Sequence, residues 1–247
     1  ETKYSLKLLP IGGYVKMYGE EEELQDPDAF MSKSPLQRIS IIAAGAIMNY
    51  ILAVFLFALI ASNNGVILPE VNEVLSDSPA LASGLKVGDE ILTINSKKIF
   101  TWDDFTLHVL LSEGQPVSIE YLRDGKKQAT TITPAYDANE GRYKVGISAT
   151  YIENPSLGTV VSHGFKQTIS TINQVFYSLK MIFTGKASLN DVGGPVTIIR
   201  ISGAAAKAGI WNLASFTALM SVQLAVFNLL PFPALDGGWL VILFVEL

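Results

Sequence analysis

A single carboxylate within a long uncharged stretch is the first residue whose chemistry needs an explanation. Asp236 is the only charged residue between Lys207 and Glu246. Moving a carboxylate to the centre of a membrane costs about 2.5–3.5 kcal/mol, so such a group is usually paired, protonated or bound to a metal. Asp236 is therefore predicted to be a functional residue of one of these three kinds.

The residues around Asp236 predict that a membrane helix is broken there. From Asn228 the chain reads Asn-Leu-Leu-Pro-Phe-Pro-Ala-Leu-Asp-Gly-Gly. Proline and glycine interrupt a regular helix, and irregular backbone at membrane depth persists only where protein buries it or water lines it. An ordinary loop between two short spans remains the alternative, because both residues are also common in loops.

A second uncharged stretch predicts a transmembrane helix in the first third of the chain. No charge occurs between Arg38 and Glu70, and residues 39–61 are almost wholly apolar. This exceeds the roughly 20 residues that span a bilayer. Gly45 and Asn49 lie four residues apart on one helix face, where a small residue permits close packing and an amide needs a partner helix or a ligand.

The composition agrees with a membrane protein and excludes several classes of function. Of 247 residues, 49% are hydrophobic and 17% are charged, whereas soluble domains carry about 25% charged residues. The net charge of -5 argues against a nucleic-acid partner, which requires a basic surface. The chain contains no cysteine, and its histidines are His108 and His163, so thiolate chemistry is excluded and imidazole chemistry is limited.

The middle of the chain has the pattern of a small soluble domain. Residues 117–122 and 128–133 read as strands joined across Asp124-Gly125, a strong hairpin signal. Residues 103–111 have helical spacing, and residues 71–75 and 91–94 read as further strands. An α+β domain is therefore expected between the membrane segments.

The following segment predicts an amphipathic helix at the membrane interface. Its apolar residues recur at spacings of three and four, with lysines and no acidic residue nearby. Packing against the preceding domain is the alternative. The apolar positions are Phe165, Ile169, Ile172, Phe176, Leu179 and Phe183.

Five segments follow from these patterns. Residues 1–35 are expected to form a membrane-surface β-hairpin and an acidic loop, and residues 36–64 a transmembrane helix. Residues 65–152 form the α+β domain, and residues 153–207 the interfacial helix with a linker. Residues 208–247 form a transmembrane segment with a broken helix.

The α+β domain resembles a PDZ domain of bacterial proteases. The resemblance rests on Ser78-Pro79-Ala80, on Gly84-Leu85-x-x-Gly88-Asp89-x-Ile91, and on Ile94-Asn95. It implies that the domain binds an extended peptide at a sheet edge. A steric gate without a peptide ligand is the alternative.

Nearly the whole chain resembles the bacterial site-2 proteases, which are intramembrane zinc metalloproteases. Four features match in order: the hairpin sequence from Leu9 to Met17, the segment Ala44–Asn49, the PDZ-like insertion, and Asn228-x-x-Pro-x-Pro-x-Leu-Asp-Gly. The second feature has Ala46 where the family usually has proline. The resemblance implies a polytopic α-helical membrane protein with a membrane-associated β-hairpin and an inserted PDZ-like α+β domain.

The family's first motif, His-Glu-x-x-His, is absent from the sequence. That motif supplies two zinc ligands and the general-base glutamate. In the family it lies on a membrane helix upstream of the hairpin, so the N-terminal catalytic helix is expected to be missing from this chain, as is the last membrane helix. No catalytic residue is then expected within these residues.

The resemblance implies Zn²⁺ as the cofactor and Asp236 as its third protein ligand. It also implies that the unwound substrate is held by side chains of the last motif and by the hairpin. The implied substrate-binding residues are Asn228, Pro231, Pro233, Gly12, Gly13, Tyr14 and Asn49.

The implied function is hydrolysis of a peptide bond within the transmembrane segment of single-span proteins, such as anti-sigma factors or remnant signal peptides. The implied location is the bacterial inner membrane, with the PDZ-like domain outside the cytoplasm. A catalytically inactive, membrane-tethered PDZ scaffold is the alternative. An ion transporter is a second rival, although the PDZ-like insertion and the single carboxylate count against it.

Overall fold

A helix of 30 residues, α1, runs over Pro35–Asn64, where the sequence predicts the first membrane span. Only 11% of its most apolar 18-residue stretch is buried within the molecule. The computed structural model describes residues 17–20, 26–185, 193–232 and 235–247, so the predicted hairpin over residues 1–16 lies outside the described residues. The chain divides into two compact units, Ile47–Phe227 and Glu1–Ala46 with Asn228–Leu247.

The first unit contains an antiparallel sheet, and we call residues 66–152 the sheet module. The strands are β1 (Val66–Val74), β2 (Glu90–Ile94), β3 (Lys97–Lys98), β4 (Val117–Arg123), β5 (Lys126–Ile132), β6 (Ala135–Asp137), β7 (Arg142–Lys144) and β8 (Ile147–Ile152). The order in the main sheet is β5-β4-β2-β1-β8, β3 pairs with β2, and β6 and β7 form a separate hairpin. Two helices accompany the strands, α2 (Pro79–Ala82) and α3 (Trp102–Leu111).

The predicted hairpin between β4 and β5 is confirmed. Arg123 pairs with Lys126 across a two-residue loop, and the φ angles of Asp124 and Gly125 are 50° and 73°. Two positive φ angles match the twist of the flanking strands in a two-residue hairpin, and Asp-Gly tolerates them best. The helix predicted over residues 103–111 is confirmed as α3.

A buried carboxylate of the sheet module is paired with an arginine. Asp89 is fully buried, and both of its carboxylate oxygens accept hydrogen bonds of 2.7 Å from the Arg123 guanidinium. This bidentate arrangement satisfies a charge that would be costly to bury alone. The buried apolar residues of the core are Val71, Ala80, Leu85, Ile91, Ile94, Ile99, Phe105, Val109, Val117, Ile119, Tyr121, Ile132 and Val145.

Helix α4 (Leu157–Phe183) follows the sheet module. It packs against α1 at Gly164, where an added Cβ would lie 2.6 Å from the carbonyl oxygen of Val54. Farther along the helix, Val175 joins a cluster with Ala53 of α1. Of the predicted apolar stripe, Ile172 and Leu179 contact this cluster, whereas the other four members are exposed: Phe165, Ile169, Phe176 and Phe183.

After α4, the described residues contain three more helices, and the first of them departs from the sequence prediction. Residues Pro195–Lys207, which the sequence analysis includes in a linker, form α5. Pro195 sits at its first position, where a missing N–H costs nothing. The first half of α5 is rich in β-branched residues, from Val196 to Ile201, and these have a low helix propensity, so the sequence did not indicate a helix.

Residues 208–247, where the sequence predicts a broken helix, contain two separate helices. Helix α6 runs over Ile210–Leu229 and helix α7 over Asp236–Glu246. Within the described residues, α1 and α6 are the two helices that are long and apolar enough to span a membrane.

The second unit contains the start of α1 together with α7. Arg38 is buried, forms an ion pair with Glu246, and donates from Nη1 to Sδ of Met31 at 3.8 Å. The pair ties the last turn of α7 to the first turns of α1. Before α1, the backbone N–H of Phe30 donates to the carbonyl of Tyr18 at 2.8 Å.

Candidate functional site

The helix break places a short irregular segment between α6 and α7. Pro231 follows the last residues of α6, and the N–H of Phe232 turns back to the carbonyl of Leu230 at 2.7 Å. The N–H of Leu235 donates to the carbonyl of Phe232 at 3.0 Å. These turns satisfy part of the backbone that a continuous helix would have paired, and they direct the chain into α7.

The backbone packs so closely at this break that position 237 requires glycine. It is buried, and an added Cβ would lie 2.6 Å from the carbonyl carbon of Leu230 and 2.7 Å from that of Leu229. Because the obstructing atoms belong to the backbone, no side-chain rotation could make room. The Leu-Asp-Gly sequence therefore lets the start of α7 lie directly against the end of α6.

Asp236 is the first residue of α7, and its side chain is exposed. The carboxylate makes no hydrogen bond or ion pair with any residue that the structure describes. Leu235, the N-cap residue, has an aliphatic side chain and supplies no cap hydrogen bond. The unpaired N–H groups of a helix N-terminus favour an acidic side chain nearby, and the exposed carboxylate oxygens of Asp236 are available to a cation.

The predicted substrate-binding residues of the last motif lie beside this break. Asn228 is half-buried in the last turn of α6, and its amide has no hydrogen-bond partner among the described residues. Pro231 is exposed at the break. Pro233 lies outside the described residues, as do Gly12, Gly13 and Tyr14 of the predicted hairpin.

Asn49 belongs to the first unit, where it meets a helix. Ser221 of α6 donates from Oγ to the Asn49 carbonyl oxygen at 3.0 Å, with the Asn49 side-chain Oδ1 at 3.4 Å. Asn49 therefore contacts a partner helix, as expected for an amide in an apolar helix, although its side chain receives the longer of the two contacts. Gly45, four residues earlier, has no atom within 4 Å of a Cβ placed on it, so the predicted close approach at this glycine is not found among the described residues.

A zinc ion needs several nitrogen, sulfur or oxygen ligands at one place. No group of three or more histidine, aspartate or glutamate side chains suited to a metal ion occurs in the described part of the chain. His108 lies on α3 and His163 on α4. Asp236 fits the role of one oxygen ligand, because it is unpaired, and the described residues do not supply a complete ligand set.

Two further features near α4 were not predicted from the sequence. A cleft of about 670 Å³ lies between α4 and the sheet module and is lined by charged, polar and apolar side chains, among them Glu90, Lys98, Phe100, Phe165 and Lys166. The second feature is a hydrogen bond from Ser170 of α4 to Asp104 of α3. Thr101-x-x-Asp104 is a recognisable capping-box pattern, but nothing marks Ser170 as its partner.

Comparison with known proteins shows which family this chain belongs to. The sequence matches Peptidase family M50 over residues 1–247. It is 48% identical over 248 residues to a Clostridium perfringens protein named "Putative zinc metalloprotease", covering 100% of this chain and 73% of that protein. It is 34% identical to the regulator of sigma-W protease RasP of Bacillus subtilis, covering 92% of this chain and 55% of that protein.

Among solved structures, the chain is similar to the PDZ domain of an SdrC-like protein of Listeria monocytogenes. The identity is 27% over 35% of this chain and 88% of that domain, with a TM-score of 0.30. The family match covers the helix break, the sheet module and the long apolar helices together. The chain belongs to Peptidase family M50, the membrane-associated site-2 proteases.

Proposed function

We propose that the full-length protein is a zinc-dependent intramembrane endopeptidase to which this chain contributes Asp236 as a metal ligand. The observation that carries the proposal is a carboxylate with no partner among the described residues, at a helix break between two apolar helices, in a chain of Peptidase family M50. The zinc metalloprotease name of the Clostridium perfringens relative supports the choice of metal.

The remaining metal ligands and the general base would come from outside these residues. Neither His108 nor His163 is followed by the glutamate and second histidine of a His-Glu-x-x-His motif. We propose that an upstream membrane helix supplies two histidines and the glutamate. Zinc bound there supplies a Lewis acid and a water of lowered pKa. Asp236 contributes the negative charge that makes a dication stable in an apolar setting.

Asn228 and the break would hold the substrate in an extended form. A transmembrane helix must unwind before a peptide carbonyl is accessible, and each freed N–H and C=O then needs a partner. The Asn228 amide can both donate and accept a hydrogen bond and is unpaired among the described residues. The segment around Gly12, Gly13 and Tyr14 would pair with the unwound strand along its edge.

The proposed substrates are single-span membrane proteins, and the proposed setting is the bacterial inner membrane. The name of RasP connects that relative with the control of a sigma factor, which supports anti-sigma factors as one substrate group. We propose that the sheet module is a PDZ-like domain outside the cytoplasm that restricts entry of substrates with bulky external domains.

Cleavage of a defined substrate by the purified full-length protein tests this function. One substrate carries a single transmembrane segment with a short external tail, and a second carries the same segment behind a folded external domain. We expect the first to be cut within its membrane segment, and we expect a zinc chelator to abolish the cut until zinc is restored. Cleavage that survives complete zinc removal, or cleavage only outside the membrane segment, would refute the proposal.

A further inference from the structure

A buried polar network joins the sheet module to helix α4. Ser170 of α4 donates from Oγ to Oδ1 of Asp104 on α3 at 2.6 Å. Thr101 Oγ1 and Gln174 Nε2 donate to Ser170 Oγ at 3.2 and 3.0 Å. We call these four residues, Thr101, Asp104, Ser170 and Gln174, the polar latch.

Every hydrogen-bonding capacity of the central hydroxyl is used. A serine hydroxyl has one donor and two acceptor positions, and Ser170 fills all three within the polar latch. The second oxygen of Asp104 accepts from the backbone N–H groups of Phe100 and Thr101 at 3.0 and 3.1 Å. Ser170, Thr101 and Asp104 are 0, 2 and 4% exposed, so water cannot readily replace a lost partner.

The polar latch holds a side of the module that hydrophobic packing does not hold. In the described part of the chain, the module's core cluster includes no residue of α4. Among the buried residues that the structure describes, an apolar contact between module and helices lies at β1, where Val66 packs with Ala61 of α1 and Val160 of α4. Next to this contact, Gly65 joins α1 directly to β1 with a φ of 75°. The module is thus anchored at β1 and held by directional polar bonds at α3.

With this arrangement, the module can move away from α4 at the α3 side and expose little apolar surface. Breaking the bonds between α3 and α4 would leave the module's core and the cluster around Val175 intact, because each is built without the other. An apolar interface tolerates sliding, whereas a charge-assisted hydrogen bond fixes one geometry. The cleft of about 670 Å³ lies between the same two surfaces, with Phe100 on the module side and Phe165 and Ile169 on α4.

We infer that the polar latch sets the orientation of the sheet module on α4 and thereby determines which substrates are admitted. The second half of this inference rests on the proposed function. Ser170 and Asp104 are then positioning residues, because they act through the module and do not touch the substrate. Opening the latch pivots the module about Gly65 and β1.

The decisive variant is Ser170→Ala, which removes the central hydroxyl and leaves the capping box of α3 unchanged. Thr168→Val is the matched control: Thr168 is also buried on α4, but its hydroxyl bonds only to the helix's own Gly164 carbonyl. Ser170→Asp is a second variant that places a carboxylate against Asp104. Ser170→Asp is informative if packing keeps the module in place when only the hydroxyl is lost.

The first measurement is the distance between the module and α4 in the full-length protein. These residues contain no cysteine, so spin labels can be attached at Lys126→Cys and Ser178→Cys, both exposed positions. We expect one narrow distance distribution for the wild type and for Thr168→Val, a broader one for Ser170→Ala, and the broadest for Ser170→Asp. Distributions that coincide for all four proteins would refute the polar latch.

The second measurement compares cleavage of the trimmed substrate and the substrate with a bulky domain. Loss of a hydrogen bond to a charged group changes an equilibrium by about tenfold, so we expect Ser170→Ala to raise the bulky-to-trimmed cleavage ratio by about that factor. A ratio equal to that of Thr168→Val would refute the role in selection even if the distances broaden. If the wild type cleaves neither substrate, the proposed function fails, and the distances still decide whether the latch exists.

Discussion

Three aspartates of this chain differ in their burial and in their hydrogen-bond partners. Asp89 is fully buried and bound on both oxygens by Arg123. Asp104 is buried and accepts from Ser170 and from two backbone N–H groups. Asp236 lies at the start of an apolar helix with no partner among the described residues. The carboxylate in the most apolar sequence is thus the one left available for a ligand.

Replacing Asn228 separates substrate binding from metal binding. Asn228→Ala should lower the cleavage rate by about ten- to a hundredfold, because an unwound substrate would lose a buried hydrogen bond worth about 1–3 kcal/mol. Zinc content should stay at the wild-type value. The matched control is Asn212→Ala on the same helix, whose exposed amide donates to the Ala208 carbonyl. Loss of zinc from Asn228→Ala would instead assign this residue to the metal site.

His108 makes the stability of the sheet module depend on pH. Burial lowers the pKa of His108 below its usual value of 6.5, an effect that Asp104 opposes and Lys97 reinforces. The folded state then binds fewer protons than the unfolded state, so stability falls as the pH decreases from about 6.5 through the folded-state pKa. Hydrogen exchange of the module amides in the full-length protein at pH 7.5 and 5.5 measures this change in the stability of the module.

Amide exchange rates are first corrected for the pH dependence of intrinsic exchange. In the wild type, the module amides should then be less protected at pH 5.5 than at pH 7.5. In His108→Gln the decrease should be smaller, because the titrating group is gone. An equal decrease in both proteins would show that another group is responsible.

At the scale of elements, the break between α6 and α7 depends on one glycine. Gly237→Ala would place a methyl group against the backbone of Leu229 and Leu230. Forced overpacking of this kind costs about 1–3 kcal/mol, and here it would displace Asp236. We expect lower thermal stability and strongly reduced cleavage of the full-length protein. Gly203→Ala on α5 is the control, since no atom lies within 4 Å of its added Cβ.

The elements that could be predicted from sequence are those with local signals. Asp124-Gly125 predicted its hairpin because two positive φ angles select these residue types. Pro231 and Gly237 predicted the helix break because neither suits a helix interior. By contrast, the first half of α5 is rich in β-branched residues, which have a low helix propensity, and its start at Pro195 resembles an ordinary turn.

The contacts that could not be predicted are long-range. Ser170 lies 66 residues from Asp104, and a serine within a helix has no local feature that indicates a distant partner. The same holds for Gly164, whose contact with Val54 exists only because α4 packs on α1. For the candidate site, the sequence indicated Asp236 through its isolation among apolar residues, which is also a local property.

At the scale of the whole molecule, α1 should separate the sheet module from the residues that precede α1. Cysteine placed at Lys126, on the exposed hairpin, should react with an impermeant reagent added to intact cells. Cysteine placed at Asp28, whose side chain is 92% exposed, should react only after the cells are opened. The reverse pattern, or reaction at both positions in intact cells, would contradict a module outside the cytoplasm.

The central claim is that Asp236 is a zinc ligand of an intramembrane protease, and zinc analysis of purified full-length variants tests it most directly. The wild type and Asp103→Ala, which removes an exposed carboxylate from the first turn of α3, should each retain one zinc ion per chain and cleave the trimmed substrate. Asp236→Ala should lose most of its zinc and all detectable cleavage while the sheet module stays folded. Full zinc content together with wild-type cleavage in Asp236→Ala would contradict the account.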